Sequence, residues 1–268
     1  ELLIHYGFIE LLGEGLRGFM NKVFHLPGEA SFVLIGSLIS GFPSSSKYIS
    51  GLLDDGKINI QQASYLLKFN HFSNPLFVIG TVGTLMLNNK SIGILILIIH
   101  ILSNFIVAMI YRPKYCNDTP AKSSFFIGIS RMHKKRIDNN TSFASFLTES
   151  IFKIFQTLLL LLGIITSFLI ITTLLKKVLN LDSMSFSILS GLLEMTQGIK
   201  NISLLDISLS IKASIITFFI SFGGFSIHMQ VLSILSNYKI KYLPYLLARL
   251  VHAIIASSII FILLTLVI

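Results

Sequence analysis

The chain has 268 residues, of which 53% are hydrophobic and only 12% charged, with a mean hydropathy of +0.80. Soluble domains carry roughly 25% charged residues, so a soluble globular protein is excluded and an integral membrane protein is expected. The net charge of +9 does not indicate nucleic acid as a partner, because seven of the 21 basic residues lie in one loop between spanning segments, where the positive-inside rule expects such an excess.

In chain order, residues 1–24 mix Leu, Ile and Phe with Glu10, Glu14, Arg17 and Lys22, which fits the tail of a membrane helix followed by an interfacial one. The first residue is Glu, and the segment lacks the basic start and cleavage site of a signal peptide, so a trimmed N-terminus that has lost an earlier membrane segment is expected. After a turn at Pro27-Gly28, residues 30–40 form an apolar helix that stops at Gly41-Phe42-Pro43. Proline removes a donor and restricts the residue before it. At about 20 residues per span, this arm is too short to cross. With a polar tip through Lys47, a return over 47–53 and a turn at 54–57, it reads as a re-entrant hairpin. Asn59 and Gln62 form a capping box for a helix running to His71, broken at Ser73-Asn74-Pro75 and resumed over 76–87. Residues 92–111 are a continuous span.

The stretch from 112 to about 140 reads as a polar loop. It holds Arg112, Lys114, Lys122, Arg131, Lys134, Lys135 and Arg136, seven of the 21 basic residues. It is a topology signal first and an anionic-lipid contact second. Cys116, the single cysteine, lies here, so neither a disulfide framework nor a Cys-based metal site is expected. An amphipathic stretch, 141–153, leads into the span 154–175. The first pattern then returns: a short apolar helix (184–193), a polar tip (194–201), a return (202–205), a segment over 212–236 broken at Gly223-Gly224, a polar turn (237–242) and a closing helix (243–268).

These elements divide into an N-terminal segment 1–26, a first repeat 27–112, a basic cytoplasmic loop 113–150 and a second repeat 151–268. With the basic loop in the cytoplasm, the first hairpin enters from that side and the second from outside. The expected fold is therefore an all-α polytopic membrane bundle with two inverted repeats, each a re-entrant hairpin, a broken transmembrane helix and a full span. Lys239, Lys241 and Arg249 then fall near the cytoplasmic face, while Lys176-Lys177 fall outside, against the rule. Broken backbone survives in hydrocarbon only where it lines a cavity or is buried in protein. Breaks in matching positions of two halves point to the binding site of a secondary transporter.

The motifs Ser40-Gly41-Phe42-Pro43-Ser44-Ser45-Ser46-Lys47 and Asn70-His71-Phe72-Ser73-Asn74-Pro75-Leu76-Phe77-Val78-Ile79-Gly80 resemble those of the YlbJ/SpoVV family of sporulation integral membrane proteins, over about Leu2 to the C-terminus. The second half matches in pattern only. The resemblance implies a gate, or nucleoside-recognition, domain similar to a core repeat of concentrative nucleoside transporters. It also implies transport of dipicolinate from the mother cell across the outer forespore membrane.

For substrate binding the sequence offers Ser44, Ser45, Ser46 and Lys47 at the first tip. Their hydroxyls and free amides would suit an anion at a half-helix N-terminus, against the plainer reading of a solvated loop with N-cap serines. Asn70, Ser73 and Asn74 at the first break, and Gly223, Gly224 and Ser226 at the second, could face a substrate or simply kink the helix. Thr196, Gln197 and Asn201 complete the set at the second tip. His71 and His228 read equally as proton-coupling groups or as neutral histidines bonded to carbonyls. Glu194 and Lys200 take coupling or structural roles, with Glu194 binding a cation or pairing with Lys200 or Lys47. His100, Arg249 and His252 read as interfacial or interhelical contacts. The partners expected are membrane lipid and a small anionic substrate, with a coupling ion and a homo-oligomer left open. No metal-ligand spacing, nucleotide-binding loop or nucleophile elbow occurs in the sequence, so neither an enzyme nor a cofactor is expected. A non-transporting scaffold or sensor and a carrier of nucleoside-like substrates are the alternatives.

Overall fold

A computed structural model describes residues 6–114, 124–138 and 142–267. Among these the chain is helical throughout, without strands. Helix α1 (Phe8–Phe19) runs into a π turn (Met20–Phe24), and α2 (Ala30–Ser40) and α3 (Ser44–Asp54) form the first hairpin. Helix α4 (Ile60–Phe69) opens on the expected capping box, with Asn59 and Gln62 exchanging bonds of 2.9 Å. Past the first interruption the chain resumes as a π-helical segment (Phe77–Met86), and α5 (Lys90–Ile110) follows. Next come α6 (Phe125–Asp138) and α7 (Phe143–Leu179). The second series is α8 (Ser183–Leu193), α9 (Met195–Leu204), α10 (Leu209–Phe222), α11 (Gly224–Ile234) and α12 (Tyr242–Val267). Among the described residues four helical stretches are long and apolar enough to cross a membrane: Lys90–Ile110, Phe143–Leu179, Leu209–Ile234 and Tyr242–Leu266. The arms Ala30–Ser40 and Ser183–Leu193 are too short, as expected.

The repeated order of hairpin, interrupted helix and span is matched by reciprocal packing. Helix α4 packs on α12, and its counterpart α10 packs on α5; α3 packs on α11, and the π segment on α9. These four contacts exchange with one another when the halves exchange, as a two-fold relation would have it. The core lies along this shared seam, with Ile96, Ile99, Val107, Ile216, Ile220 and Ala256 all buried.

The structure corrects the sequence reading at three places. The stretch expected as a polar loop holds helix α6, packed along α1. Its spacing hides an interface: Gly128 sits against Leu11 and Glu14, Arg131 bonds Glu14, and Lys135 reaches Glu10 at 2.9 Å. Cys116 and Lys122 lie outside the described residues. Second, the stretch expected as two pieces, 141–153 and 154–175, is one helix, α7. At 1.5 Å per residue its 37 residues reach about 55 Å, beyond the roughly 30 Å hydrocarbon core. Only 6% of its most apolar window is buried, so most of its surface is left to lipid. Third, both hairpin tips are shorter than expected. Ser44 to Lys47 already belong to α3, and residues 195–201 to α9, which leaves only Gly41-Phe42-Pro43 and Glu194 as the turns.

Candidate functional site

The first tip and the first interruption are built as one unit. Helix α2 ends because Gly41 takes φ +77, and a Cβ there would lie 2.6 Å from the Asn74 amide nitrogen. The Phe42 N–H donates to the Phe72 carbonyl at 2.8 Å. Asn74 then serves two helix ends. Its Nδ2 donates to the Ile39 and Ser40 carbonyls (3.3 and 3.4 Å), and its Oδ1 accepts from the Leu76 N–H at 2.8 Å. These are groups a helix terminus leaves without an intrahelical partner.

The second interruption uses glycine instead of an amide side chain. Gly223 ends α10 at φ +91 and Gly224 follows at φ +68. A Cβ on Gly224 would lie 3.0 Å from the Met195 nitrogen, and one on Gly223 would lie 2.6 Å from His71 Nε2. So the second tip seats on the second interruption, and the two interruptions touch. His71 is the hub: its ring also stacks on Phe42 at 4.7 Å, and its Nδ1 lies 3.3 Å from the Tyr245 hydroxyl.

Histidines on neighbouring helices satisfy the opened backbone. The Ser73 N–H donates to His100 Nε2 at 3.1 Å, so His100 carries its proton on Nδ1 and donates to Ser221 Oγ at 3.0 Å. One imidazole thus joins the first interruption to the end of α10. His228 Nε2 donates to the Phe222 carbonyl freed at Gly223 (2.9 Å), and its Nδ1 accepts from the Tyr242 hydroxyl (3.0 Å). Behind them, Asn104 Nδ2 donates to the His71 carbonyl at 2.7 Å. Its Oδ1 accepts from both Arg249 Nη1 and Nη2, at 3.3 and 3.4 Å. Arg249 Nη1 also donates to His252 Nδ1 (3.0 Å), and His252 Nε2 donates to the His100 carbonyl (3.0 Å).

Around this junction a set of buried polar atoms has no hydrogen-bond partner among the described residues: Asn70 Nδ2, His71 Nε2, Ser73 Oγ, Ser226 Oγ and Arg249 Nε. Asn70, Ser226 and Arg249 are fully buried, and His71 and Ser73 nearly so. Native proteins satisfy the large majority of such groups, and each exception calls for an explanation. A cavity of about 440 Å³ is lined by Gln61, Lys68, Lys239, Lys241 and Tyr245, and meets the network through Tyr245.

The remaining sequence candidates lie elsewhere. Lys47 Nζ donates to Thr157 Oγ1 of α7 at 3.3 Å and lines a separate cleft with Asp54, Asp55 and Lys153. Ser45 and Ser46 are buried. The Ser44 and Ser46 amides bond the Gly41 and Pro43 carbonyls (3.1 and 3.0 Å), so those amides are already used within the tip. Glu194 caps α9, accepting from the Gln197 N–H at 2.8 Å and from the Thr196 hydroxyl. Among the described residues it pairs with neither Lys47 nor Lys200, and Lys200 is exposed. Gln197 bonds Asn201 and Asn201 bonds Ser190, both at 3.4 Å, on the flank of the second hairpin.

Arg249 makes the interhelical contact expected of it, with Asn104. It is fully buried, seven residues and about 10 Å into α12. Asn104, His100, Tyr245 and His252 belong to the same network and were not among the site residues read from sequence. The signal was present: polar and ionisable residues at helical spacing inside apolar spans are functional candidates by default.

Outside the spans, a second charged cluster holds α6 to α1. Glu10 Oε1 receives Lys57 Nζ at 2.8 Å and Lys135 Nζ at 2.9 Å, while Glu14 pairs with Arg17 at 2.6 Å and with Arg131. Burial pushes the Glu10 carboxyl up, but the lysine hydrogen bonds outweigh it and hold the group below its ordinary value. For Lys57, burial pushes down and the Glu10 bond outweighs it, leaving the ammonium above its ordinary value.

Comparison with known proteins adds one relative. The chain is 31% identical over 282 aligned residues to the sporulation integral membrane protein YlbJ of Bacillus subtilis (strain 168), covering 96% of this chain and 69% of that one. No family model matches, and no solved structure does.

Proposed function

The chain belongs to the YlbJ family of sporulation integral membrane proteins, and from that premise we propose that it is a secondary transporter of a small anion, dipicolinate, acting in the outer forespore membrane. The supporting observation is the concentration of partnerless polar atoms where the two interruptions touch: Asn70 Nδ2, His71 Nε2, Ser73 Oγ and Ser226 Oγ. These donors and acceptors are desolvated, and an unsatisfied one costs about 1–3 kcal/mol. A substrate carrying carboxylate and ring-nitrogen groups would supply the missing partners. The lysine-lined cavity that ends at Tyr245 gives an anion a favourable approach, since clefts of one charge sign concentrate their counter-ions. Exchange of access between the two sides would use the reciprocal packing of the repeats, each hairpin seated on its own interruption.

Uptake of labelled dipicolinate into lipid vesicles carrying the whole chain, with and without a proton gradient, tests this reading. Accumulation above that of protein-free vesicles is expected. Asn70→Leu should abolish it without loss of protein. Equal counts in both vesicle types under every gradient would refute transport.

A further inference from the structure

Arg249 is a guanidinium in a membrane-spanning helix, fully buried, with no acidic side chain paired to it among the described residues. Its partners are neutral: Asn104 Oδ1 and His252 Nδ1, with the Tyr245 ring 6.0 Å away. Its Nε has no partner among the described residues. Charge in a span is normally paired or faces a water-filled path, because taking it out of water is expensive. Asn104 and His252 orient the fork but do not neutralise it. The geometry also places Arg249 on the way inward. Tyr245 lies one turn before it on α12, lines the same cavity as Lys68, Lys239 and Lys241, and touches both His71 and His228.

We infer that Arg249 is the anion-recognition residue of this site, and that its missing counter-charge is a carboxylate of the transported molecule. The inference rests on the transport reading above and sharpens it to one side chain and one ligand chemistry. A planar guanidinium suits a carboxylate because it offers two parallel N–H donors. Tyr245 then separates an outer lysine-lined approach from an inner arginine site. Loading the site neutralises the buried charge, so the bound state is the more compact and stable one.

The test uses the purified whole chain and two probes of the same shape: dipicolinate, and the uncharged pyridine-2,6-dicarboxamide. Binding is read as the rise in melting temperature with ligand, and transport as vesicle uptake. The wild type should prefer the dicarboxylate over the diamide by about 10- to 100-fold, the range of one charge-assisted hydrogen-bonded contact. R249Q should erase that preference, and R249K should retain part of it. Because R249Q removes a packed side chain and risks misfolding, N104D is the second variant. It sets a carboxylate on the same guanidinium at the cost of the bond to the His71 carbonyl, so the unliganded protein should still fold while its response to dipicolinate disappears. If the wild type takes up dipicolinate and N104D responds to it as strongly, the Arg249 inference falls while transport stands. If binding depends on Arg249 but no uptake occurs, the recognition site stands and the transport reading falls. If the wild type neither binds nor moves dipicolinate, both fall.

Discussion

The two interruptions occupy matching places yet are built from different chemistry. The first, over residues 70–75, is wide and rich in side-chain donors and acceptors. Asn74 closes two helix ends, and Asn70, His71 and Ser73 each leave a buried atom without a partner. The second is a two-glycine kink with positive φ at both positions, whose freed carbonyl is taken up by His228; it contributes one such atom, on Ser226. A shared fold therefore does not imply shared work. The first interruption supplies the polar groups, and the second supplies the close approach that brings them under cover. Only a residue without a Cβ lets His71 lie against Gly223.

The hardest blow to this division of labour is Gly223→Ala. The left-handed φ costs about 1–2 kcal/mol for an L-residue, and a Cβ 2.6 Å from His71 Nε2 adds about 1–3 kcal/mol of overpacking. The expected outcome is a melting temperature lowered by several degrees or loss of folded protein in size-exclusion chromatography. Wild-type melting would show that the interruptions do not touch. Next comes His100→Ala, which strips partners from the Ser73 amide and from Ser221 together. Each lost partner of a buried group costs about 1–3 kcal/mol, so His100→Ala should destabilise more than His228→Phe, which exposes the Phe222 carbonyl of one interruption only. An equal effect of the two would argue that His100 does not join the halves.

The ion pairs between α1 and α6 serve as a control region remote from both interruptions. The Glu10 carboxyl titrates below its ordinary 4.5 in the folded chain, so its stabilisation is full above that pH and fades as acid reaches the lower folded value. Lys57 titrates above its ordinary 10.5, so its share is full below that pH and fades as alkali passes the higher one. Protection from hydrogen exchange, corrected for the intrinsic rate, should therefore fall over 125–138 at the acid extreme, where Glu10 releases Lys135, and around Lys57 at both extremes, since its pair with Glu10 needs both charges. A transition near neutral pH would place the hold on α6 elsewhere. The smallest effect is expected for Ser226→Ala. Its hydroxyl has no partner among the described residues, so its removal should not lower stability while dipicolinate uptake falls. A large loss of stability would show that the hydroxyl is bonded within the fold.

The order of elements was legible because Gly, Pro and Asn mark the breaks without ambiguity, and the capping box at Asn59 announced its helix. The tips were misjudged because polarity was taken for a loop. Glu194 in fact caps a helix whose first turns are polar, and Ser44 to Lys47 begin α3. Helix α6 was hidden because its many basic residues masked a face that fits α1 through Gly128. The network at the junction was legible only in part: His100, Arg249 and His252 read as helix contacts, but not as one network. His100, Asn104, Arg249 and His252 stand on two helices far apart in sequence, and only packing reveals that they bond one another. Lys47 shows the converse: a residue well placed in a motif whose head group turns to α7.

Cryo-electron microscopy of the whole chain in a lipid nanodisc, with dipicolinate added, tests the central claim most directly. The account predicts His71 seated against Gly223 at mid-membrane, with density for the anion between Asn70, Ser226 and Arg249. Interruptions separated by lipid, or open to bulk solvent with Arg249 paired to an acid of the chain itself, would contradict it.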